Sequence, residues 1–226
     1  MRRLAALALL AVTAALAGLL PATPVAQERA ASRPAGATFR DCPSCPEMIA
    51  LAPGSVAPGE AAGRRVTIGY RLAVSTSRIS LREWKACVLA NQCPALGAAS
   101  AASLEPVLQV SWLDVQQYLA WLTLETGAEY RLMSEAEWEY VTRGAAPGAG
   151  GLRAEGLEWT SDCWHADRAA APVDGSSWDS EGDCRYHVAR GRRPGEPAAT
   201  SATRYRFLFD ARDPVLGFRV ARVLGD

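Results

Sequence analysis

The stretch Tyr130-Arg-Leu-Met-Ser-Glu-Ala-Glu-Trp-Glu-Tyr140 decides how the middle of the chain folds. Within it, the hydroxyl of Ser134 can accept a hydrogen bond from the amide three residues on, while the carboxylate there reaches back to the serine amide. This capping box predicts a helix from residue 135 to about residue 143, which Gly144 ends. Trp138 and Val141 would face one side of the helix, and its glutamates are interpreted as a mostly solvated face. These glutamates are Glu135, Glu137 and Glu139.

Two further helix starts upstream carry the same signature. Ser80 stands three residues before Glu83, and Ser111 stands three residues before Asp114. The second of these predicted helices is the better defined, because its apolar residues recur with a helical period until Gly127 supplies a stop. Those apolar residues are Val115, Tyr118, Leu119, Trp121 and Leu122.

Short strands are predicted on both sides of the helices. Residues 48–51 and 66–74 have strand composition and lie before the first helix. After residue 145 no clear helix appears, and short apolar runs alternate with turn residues; the runs span 157–160, 186–190, 205–209 and 217–223. This order predicts an α+β fold that is rich in loops, a form that benefits from disulfides.

Composition limits the class of protein. The chain has 226 residues, of which 49% are hydrophobic and 21% charged, so it can bury a real core in one domain or at most two small ones. Its formal net charge is zero, with 24 Lys+Arg and 24 Asp+Glu. Because nothing in such a chain builds a strong positive field, we expect no nucleic acid as its main partner.

The N-terminus reads as an export signal. Arg2 and Arg3 precede an apolar run from residue 4 to residue 20 that Pro21 ends. We assign residues 1–26 to a signal peptide, although a run of this length also permits an uncleaved membrane anchor. Residues 27–40 are interpreted as a flexible lead-in and residues 41–226 as the domain, with no later segment that could span a membrane. The expected location is periplasmic or secreted.

The six cysteines fall into three close pairs, which in an oxidising compartment predict three disulfides. The pairs are Cys42 with Cys45, Cys87 with Cys93, and Cys163 with Cys184. Two alternatives stay open at this point. The first pair could form a redox-active C-x-x-C motif, and the third pair could bind zinc together with His165 and His187.

Five segments that occur in one order resemble the formylglycine-generating-enzyme, or sulfatase-modifying-factor, family. They are Glu83-Trp-Lys-Ala-Cys87, Pro106-Val-Leu-Gln-Val-Ser-Trp112, the stretch 130–140, Glu158-Trp-Thr-Ser-Asp-Cys-Trp164 and Gly217-Phe-Arg-Val-Ala-Arg222. The resemblance covers about residues 42–225. It implies a C-type-lectin-related α+β fold with little regular structure. The tryptophans of these segments at 112, 138 and 159 are interpreted as core packing.

The resemblance also implies a chemistry from which this sequence departs. Family enzymes oxidise a cysteine of a target sulfatase with a copper-binding pair of cysteines before the closing G-F-R motif. Here the interval from Arg190 to Gly217 contains no cysteine, so we expect no copper centre. The segment that carries calcium ligands in the family is shortened, with Gly156 and Leu157 in its place, which puts calcium binding in doubt. Relatives without the cysteine pair perform other oxidations, including iron-dependent ones and siderophore tailoring.

No catalytic residue, metal ligand or cofactor is assigned from the sequence. The candidates for a ligand cleft are Trp178, Arg190, Arg204, Arg206 and Arg219. Such arginines can instead fix loops by bonding carbonyls and carboxylates. We expect an exported, noncatalytic binding or accessory domain whose partner is an unknown protein, peptide or glycan. The alternatives are an oxidoreductase of the same family acting through a different site, and a structural envelope component.

Overall fold

The computed structural model describes residues 33–57, 64–96, 103–144, 146–150, 152, 156–180, 182–196 and 203–225. The segment predicted to be a signal peptide lies outside them. Within the described part the helices are α1 (Leu81–Leu89), α2 (Trp112–Thr126) and α3 (Glu135–Thr142). None of these helices is long and apolar enough to cross a membrane.

All three helices begin where the capping boxes predicted. In each, the serine hydroxyl accepts from the amide three residues on, and the acid there accepts from the serine amide. The α2 helix ends at Gly127, whose φ of 69° is the left-handed conformation that glycine adopts without steric cost. Local hydrogen bonding therefore fixes the helix starts.

The described strands form three sheets. The strands are β1 (Thr38–Phe39), β2 (Met48–Leu51), β3 (Gly54–Val56), β4 (Val66–Ile68), β5 (Arg71–Ser75), β6 (Arg131–Leu132), β7 (Leu157–Trp164), β8 (Asp183–Gly191), β9 (Arg204–Leu208), β10 (Leu216–Gly217) and β11 (Val220–Leu224). One sheet has the order β1-β2-β5-β11-β6, a second β10-β7-β8-β9, and the third pairs β3 with β4. The α+β architecture is as predicted.

The strand boundaries differ from the predictions in two places. The run predicted as one strand over residues 66–74 is split into β4 and β5, and the run over 217–223 is split between β10 and β11. The lead-in predicted for residues 27–40 also ends earlier, because the Gly36 amide donates to the Ala50 carbonyl and Thr38 pairs with Ile49. Edge pairing with β2 therefore brings residues 33–40 into the domain.

Two apolar clusters make up the core. The first is built on aromatic side chains, with the rings of Trp84 and Tyr118 stacked at 5.6 Å and Phe218 set edge-on against both. The second surrounds α3 and contains Trp138 and Val141. Trp138 and Trp159 are buried as expected, and Trp112 is partly buried against the first cluster.

The disulfides join the predicted pairs. Bonds link Cys42 to Cys45, Cys87 to Cys93 and Cys163 to Cys184, and no cysteine is free. The third bond connects the end of β7 to the start of β8. Because both of its sulfurs are bonded to each other, the alternative in which they bind zinc as thiolates is wrong.

The interpretation of the α3 glutamates as a solvated face is wrong. Glu135, Glu137 and Glu139 have relative exposures of 4%, 0% and 1%. Buried carboxylates require charge partners, and arginines from distant elements supply them; these are Arg131, Arg168, Arg190 and Arg204. Helical periodicity could not reveal the burial, because the partners lie elsewhere in the sequence.

Candidate functional site

A cleft of about 320 Å³ lies where β7 ends and β8 begins. Its lining combines aromatic rings, small residues and two carboxylates: Trp164, His165, Ala166, Asp167, Ala170, Trp178, Gly182 and Asp183. The register between β7 and β8 shifts on both sides of Cys163, which bends the hairpin at the base of the cleft. A space of this size accommodates one side chain or a small ligand.

Residues 165–182 form most of the wall, and we call this segment the cleft loop. The Cys163 amide donates to the Trp178 carbonyl at 3.0 Å, and the Cys163–Cys184 bond closes the segment at its base. The His165 ring stacks on Trp178 with a centroid distance of 3.5 Å and an interplanar angle of 4°. The loop is thus held by a disulfide, a backbone hydrogen bond and a ring stack.

Arginines from β9 border the cleft. Arg204 donates through Nε to Glu135 Oε1 at 2.7 Å and through Nη1 to the His165 carbonyl at 2.8 Å. Its Cζ also lies 4.6 Å from the centroid of the Trp164 ring. Arg204 therefore anchors the start of the cleft loop to α3.

Arg206 lies at the outer rim of the same wall. Its Cζ is 4.5 Å from the Tyr186 ring centroid and 5.8 Å from that of Trp164. The side chain is exposed and makes no hydrogen bond or ion pair with another described residue. Two aromatic faces therefore hold a guanidinium whose donors are free for a ligand.

The two other arginines predicted for a cleft lie inside the protein. Arg190 contacts Glu135 at 2.5 Å and Glu139 at 2.8 Å through Nη1. Arg219 donates to both oxygens of Glu158, at 2.9 and 2.8 Å. Both arginines are almost completely buried, so they hold the framework together. Of the five candidates, the structure brings Trp178, Arg204 and Arg206 to the cleft.

A buried acid lies beneath the cleft. Asp162 accepts from the Glu135 amide at 2.7 Å and from the Trp178 amide at 3.1 Å, so it joins β7 to both α3 and the cleft loop. Burial, with the neighbouring Glu135 charge, raises the pKa of Asp162 to about 7. Burial would also raise the pKa of Glu135, but Arg190, Arg204 and Arg168 outweigh it and hold that pKa below its ordinary value.

The second histidine lies in the interior on the same hairpin. His187 stacks on Trp112 at 3.9 Å, and its Nδ1 lies 3.2 Å from the Asp162 carbonyl oxygen. Burial lowers the pKa of His187. Within the described ranges, no group of three or more His, Cys, Asp or Glu residues is arranged to hold a metal ion.

Trp164 and Asp162 were not recognisable as site residues from the sequence. Both lie in the family-like segment 158–164, which was the available signal. The segment indicates the family, but the cleft arises only when β7, β8 and the cleft loop come together. His165 had a sequence signal only as a zinc ligand, and the structure places it in a ring stack instead.

The family model described as "Sulfatase-modifying factor enzyme 1-like domain" matches residues 34–155, which is more than half of the chain. The protein therefore belongs to the sulfatase-modifying-factor family. No curated protein matches it.

Solved structures share its fold. The structure of PvdO from Pseudomonas aeruginosa is 27% identical, covers 85% of this chain and 100% of its own, and gives a TM-score of 0.76. Treponema denticola variable protein 1 is 16% identical over 84% of this chain and 99% of its own, with a TM-score of 0.65. CarF is 12% identical over 80% of this chain and 100% of its own, with a TM-score of 0.61. The expected C-type-lectin-related fold is thereby confirmed.

Proposed function

We propose that this protein is an exported, noncatalytic binding domain of the sulfatase-modifying-factor family. It takes a protein, peptide or glycan ligand in the cleft between the end of β7 and the start of β8. The observation that carries the proposal is the pairing of all six cysteines in disulfides. Thiolate copper chemistry requires two free cysteines, and this chain has none to offer.

The framework and the cleft support a binding role. The motif residues Trp138, Glu158 and Arg219 are engaged with one another inside the protein, where they stabilise the scaffold. The exposed groups are instead Trp164 and Arg206 at the rim. A stacked guanidinium next to an aromatic wall suits a ligand that combines an apolar face with a hydrogen-bond acceptor.

Export is part of the proposal. The charged start and apolar run of residues 1–20 have the composition of a secretory signal. Three disulfides in one small domain are typical of proteins from oxidising compartments. We therefore propose a periplasmic or secreted location.

Peptide and glycan arrays, probed with purified protein whose disulfides are intact, test the binding role. Wild type should show specific, saturable binding that Arg206→Ala weakens at least about tenfold. Arg82→Ala is the matched control, since Arg82 is an exposed arginine on α1 outside the cleft lining. Absence of saturable binding by the folded protein, or equal loss in both variants, would contradict the proposal.

The alternative is an oxidoreductase of the same family that acts through a different site. Asp162 favours it, because a buried acid with a pKa near 7 can exchange protons at neutral pH. Its carboxylate is bonded to the amide of Trp178, which lines the cleft. Substrate-dependent oxygen uptake that Asp162→Asn abolishes would favour this alternative over the binding role.

A further inference from the structure

We propose that His165 is a proton-controlled clasp on the cleft. Its doubly protonated ring ties the cleft loop to the end of β7, and loss of one ring proton loosens the loop. The inference rests on the proposed function, since it concerns the regulation of the same cleft.

Both ring nitrogens of His165 face carbonyl oxygens. Nδ1 lies 3.1 Å from the Cys163 oxygen, and Nε2 lies 2.8 Å from the Ser180 oxygen. A carbonyl oxygen only accepts hydrogen bonds, whereas a neutral imidazole has one N–H and one lone pair. Only the imidazolium form can donate to both carbonyls. In the neutral form a lone pair necessarily faces one carbonyl oxygen, which costs a hydrogen bond and adds repulsion.

The ring has little freedom to turn away from this arrangement. One face lies on Trp178, and Gly182 lies against the ring so closely that a Cβ there would come within 2.5 Å of Cε1 and Nε2. Glycine is thus required at position 182 while the ring stays stacked. The stack on an indole also favours the cationic ring.

The two carbonyls lie on opposite ends of the cleft loop. Cys163 belongs to β7 and is held by its bond to Cys184, whereas Ser180 stands close to Gly182, which lines the cleft. Release of the Ser180 carbonyl would free the chain around residues 178–182, where Trp178 forms the wall. The protonation state of His165 therefore controls the part of the loop that shapes the cleft.

Charged groups surround the ring on every side, and they act in both directions. Asp167 in the loop and Asp183 on β8 line the cleft and favour a cation, whereas Arg204 and Arg206 on β9 oppose it. Arg185 on β8 is paired with Asp183, and Glu135 on α3 with Arg204. Asp162 on β7 titrates near neutral pH, so a test must separate its effect from that of His165.

Nitrogen NMR on the full protein gives the direct test, because the chain contains only two histidines. At about pH 5.5 we expect the His165 ring to carry both protons, each hydrogen-bonded, while the ring of His187 carries one. A singly protonated His165 ring at that pH would overturn the proposal. This measurement needs no ligand and no variant.

Hydrogen exchange of residues 165–182 tests the consequence. After correction for intrinsic rates, the loop amides should exchange about three- to tenfold faster at about pH 8 than at about pH 5.5. His165→Phe, which keeps a ring on Trp178 but has no donor, should lose this dependence, whereas Asp162→Asn should retain it. Equal pH dependence in His165→Phe and wild type would contradict the clasp.

The clasp and the proposed function can fail separately. A doubly protonated His165 and pH-dependent exchange, without any ligand on the arrays, would leave the clasp standing and remove the binding role. Binding with a pH-independent loop would do the reverse.

Discussion

Glu158 shows how a single residue holds the interior together. Its carboxylate accepts from the indole of Trp138 at 3.1 Å and from two nitrogens of Arg219 at 2.9 and 2.8 Å, and all three residues are buried. Two of these residues lie in segments that resemble the family, so a family motif here serves stability. A charge pair of this kind is costly to break, because removal of one partner leaves the other charged and buried.

Glu158→Gln should therefore lower the free energy of unfolding by about 3–5 kcal/mol. The control is Asp183→Asn, which removes the exposed pair between Asp183 and Arg185 and should change stability little. Urea unfolding monitored by tryptophan fluorescence measures both. Equal midpoints for the two variants would contradict the structural role of Glu158.

Asp162 predicts a pH dependence of stability. Its pKa is raised from 3.8 to about 7 by burial, so the folded state binds its proton more tightly than the unfolded chain does. Such a group contributes stability below its unfolded pKa, and that contribution is lost as pH rises towards the folded pKa. The loss between about pH 4 and pH 7 could reach roughly 4 kcal/mol.

Asp162→Asn should remove this slope while it weakens one of the two amide hydrogen bonds to the carboxylate. The measurement is the unfolding free energy of both proteins at several pH values between about 4 and 7. A variant that keeps the full wild-type slope would show that Asp162 is not the titrating group.

The α3 glutamates show what a residue-level prediction from sequence misses. The capping role of Glu137 was predictable from Ser134 three residues earlier, and the structure shows it. The burial of Glu135 was not predictable, because Arg190 and Arg204 lie 55 and 69 residues away in sequence. Local patterns report local bonds, whereas charge burial depends on which distant strands come together.

At the scale of elements, the helix caps differ in how much they hold. Ser111 caps α2 through the Asp114 amide. Ser134 caps α3 in the same way and also donates to the Gly175 carbonyl at 2.7 Å, which ties the helix to the cleft loop. The second serine thus combines a local and a tertiary bond.

Ser111→Ala should cost about 1 kcal/mol, and Ser134→Ala should cost about 1 kcal/mol more because a buried hydrogen bond is lost with the cap. Thermal unfolding of the two variants compares them under identical conditions. If Ser134→Ala were no less stable than Ser111→Ala, the bond to Gly175 would contribute nothing.

The Cys163–Cys184 bond is the main constraint on the β7–β8 hairpin. It closes a sequence separation of 21 residues, and loss of such a cross-link costs about 3 kcal/mol. Cys163→Ser together with Cys184→Ser should therefore destabilise the protein by about that amount. The control, Cys42→Ser with Cys45→Ser, opens a separation of 3 residues and should cost about 2 kcal/mol. A wild-type melting temperature in the first variant would contradict this prediction.

The strands were harder to predict than the helices for a physical reason. The run at 157–160 was found, but β7 continues to Trp164 because β8 pairs with it through Cys163 and beyond. Strand length depends on the partner strand, and the sequence of one strand does not contain that partner. Caps, in contrast, are complete within four residues.

At the scale of the whole molecule, the family segments predicted the fold, and they predicted the site only in part. They extend from residue 83 to residue 222 and recur in the core, where Trp84, Trp138 and Phe218 are buried. The cleft depends on loop conformation between β7 and β8, which no motif encodes. Trp178, Arg204 and Arg206 were placed there correctly, and Arg190 and Arg219 were not.

The measurement that tests the account most directly is metal analysis of protein produced in a periplasm, combined with oxygen uptake in the presence of a cysteine-containing sulfatase peptide. A binding domain whose cysteines are all in disulfides should contain no stoichiometric copper or iron and should consume no oxygen above the protein-free rate. One copper or iron per chain, together with oxygen uptake that depends on the peptide, would contradict the account.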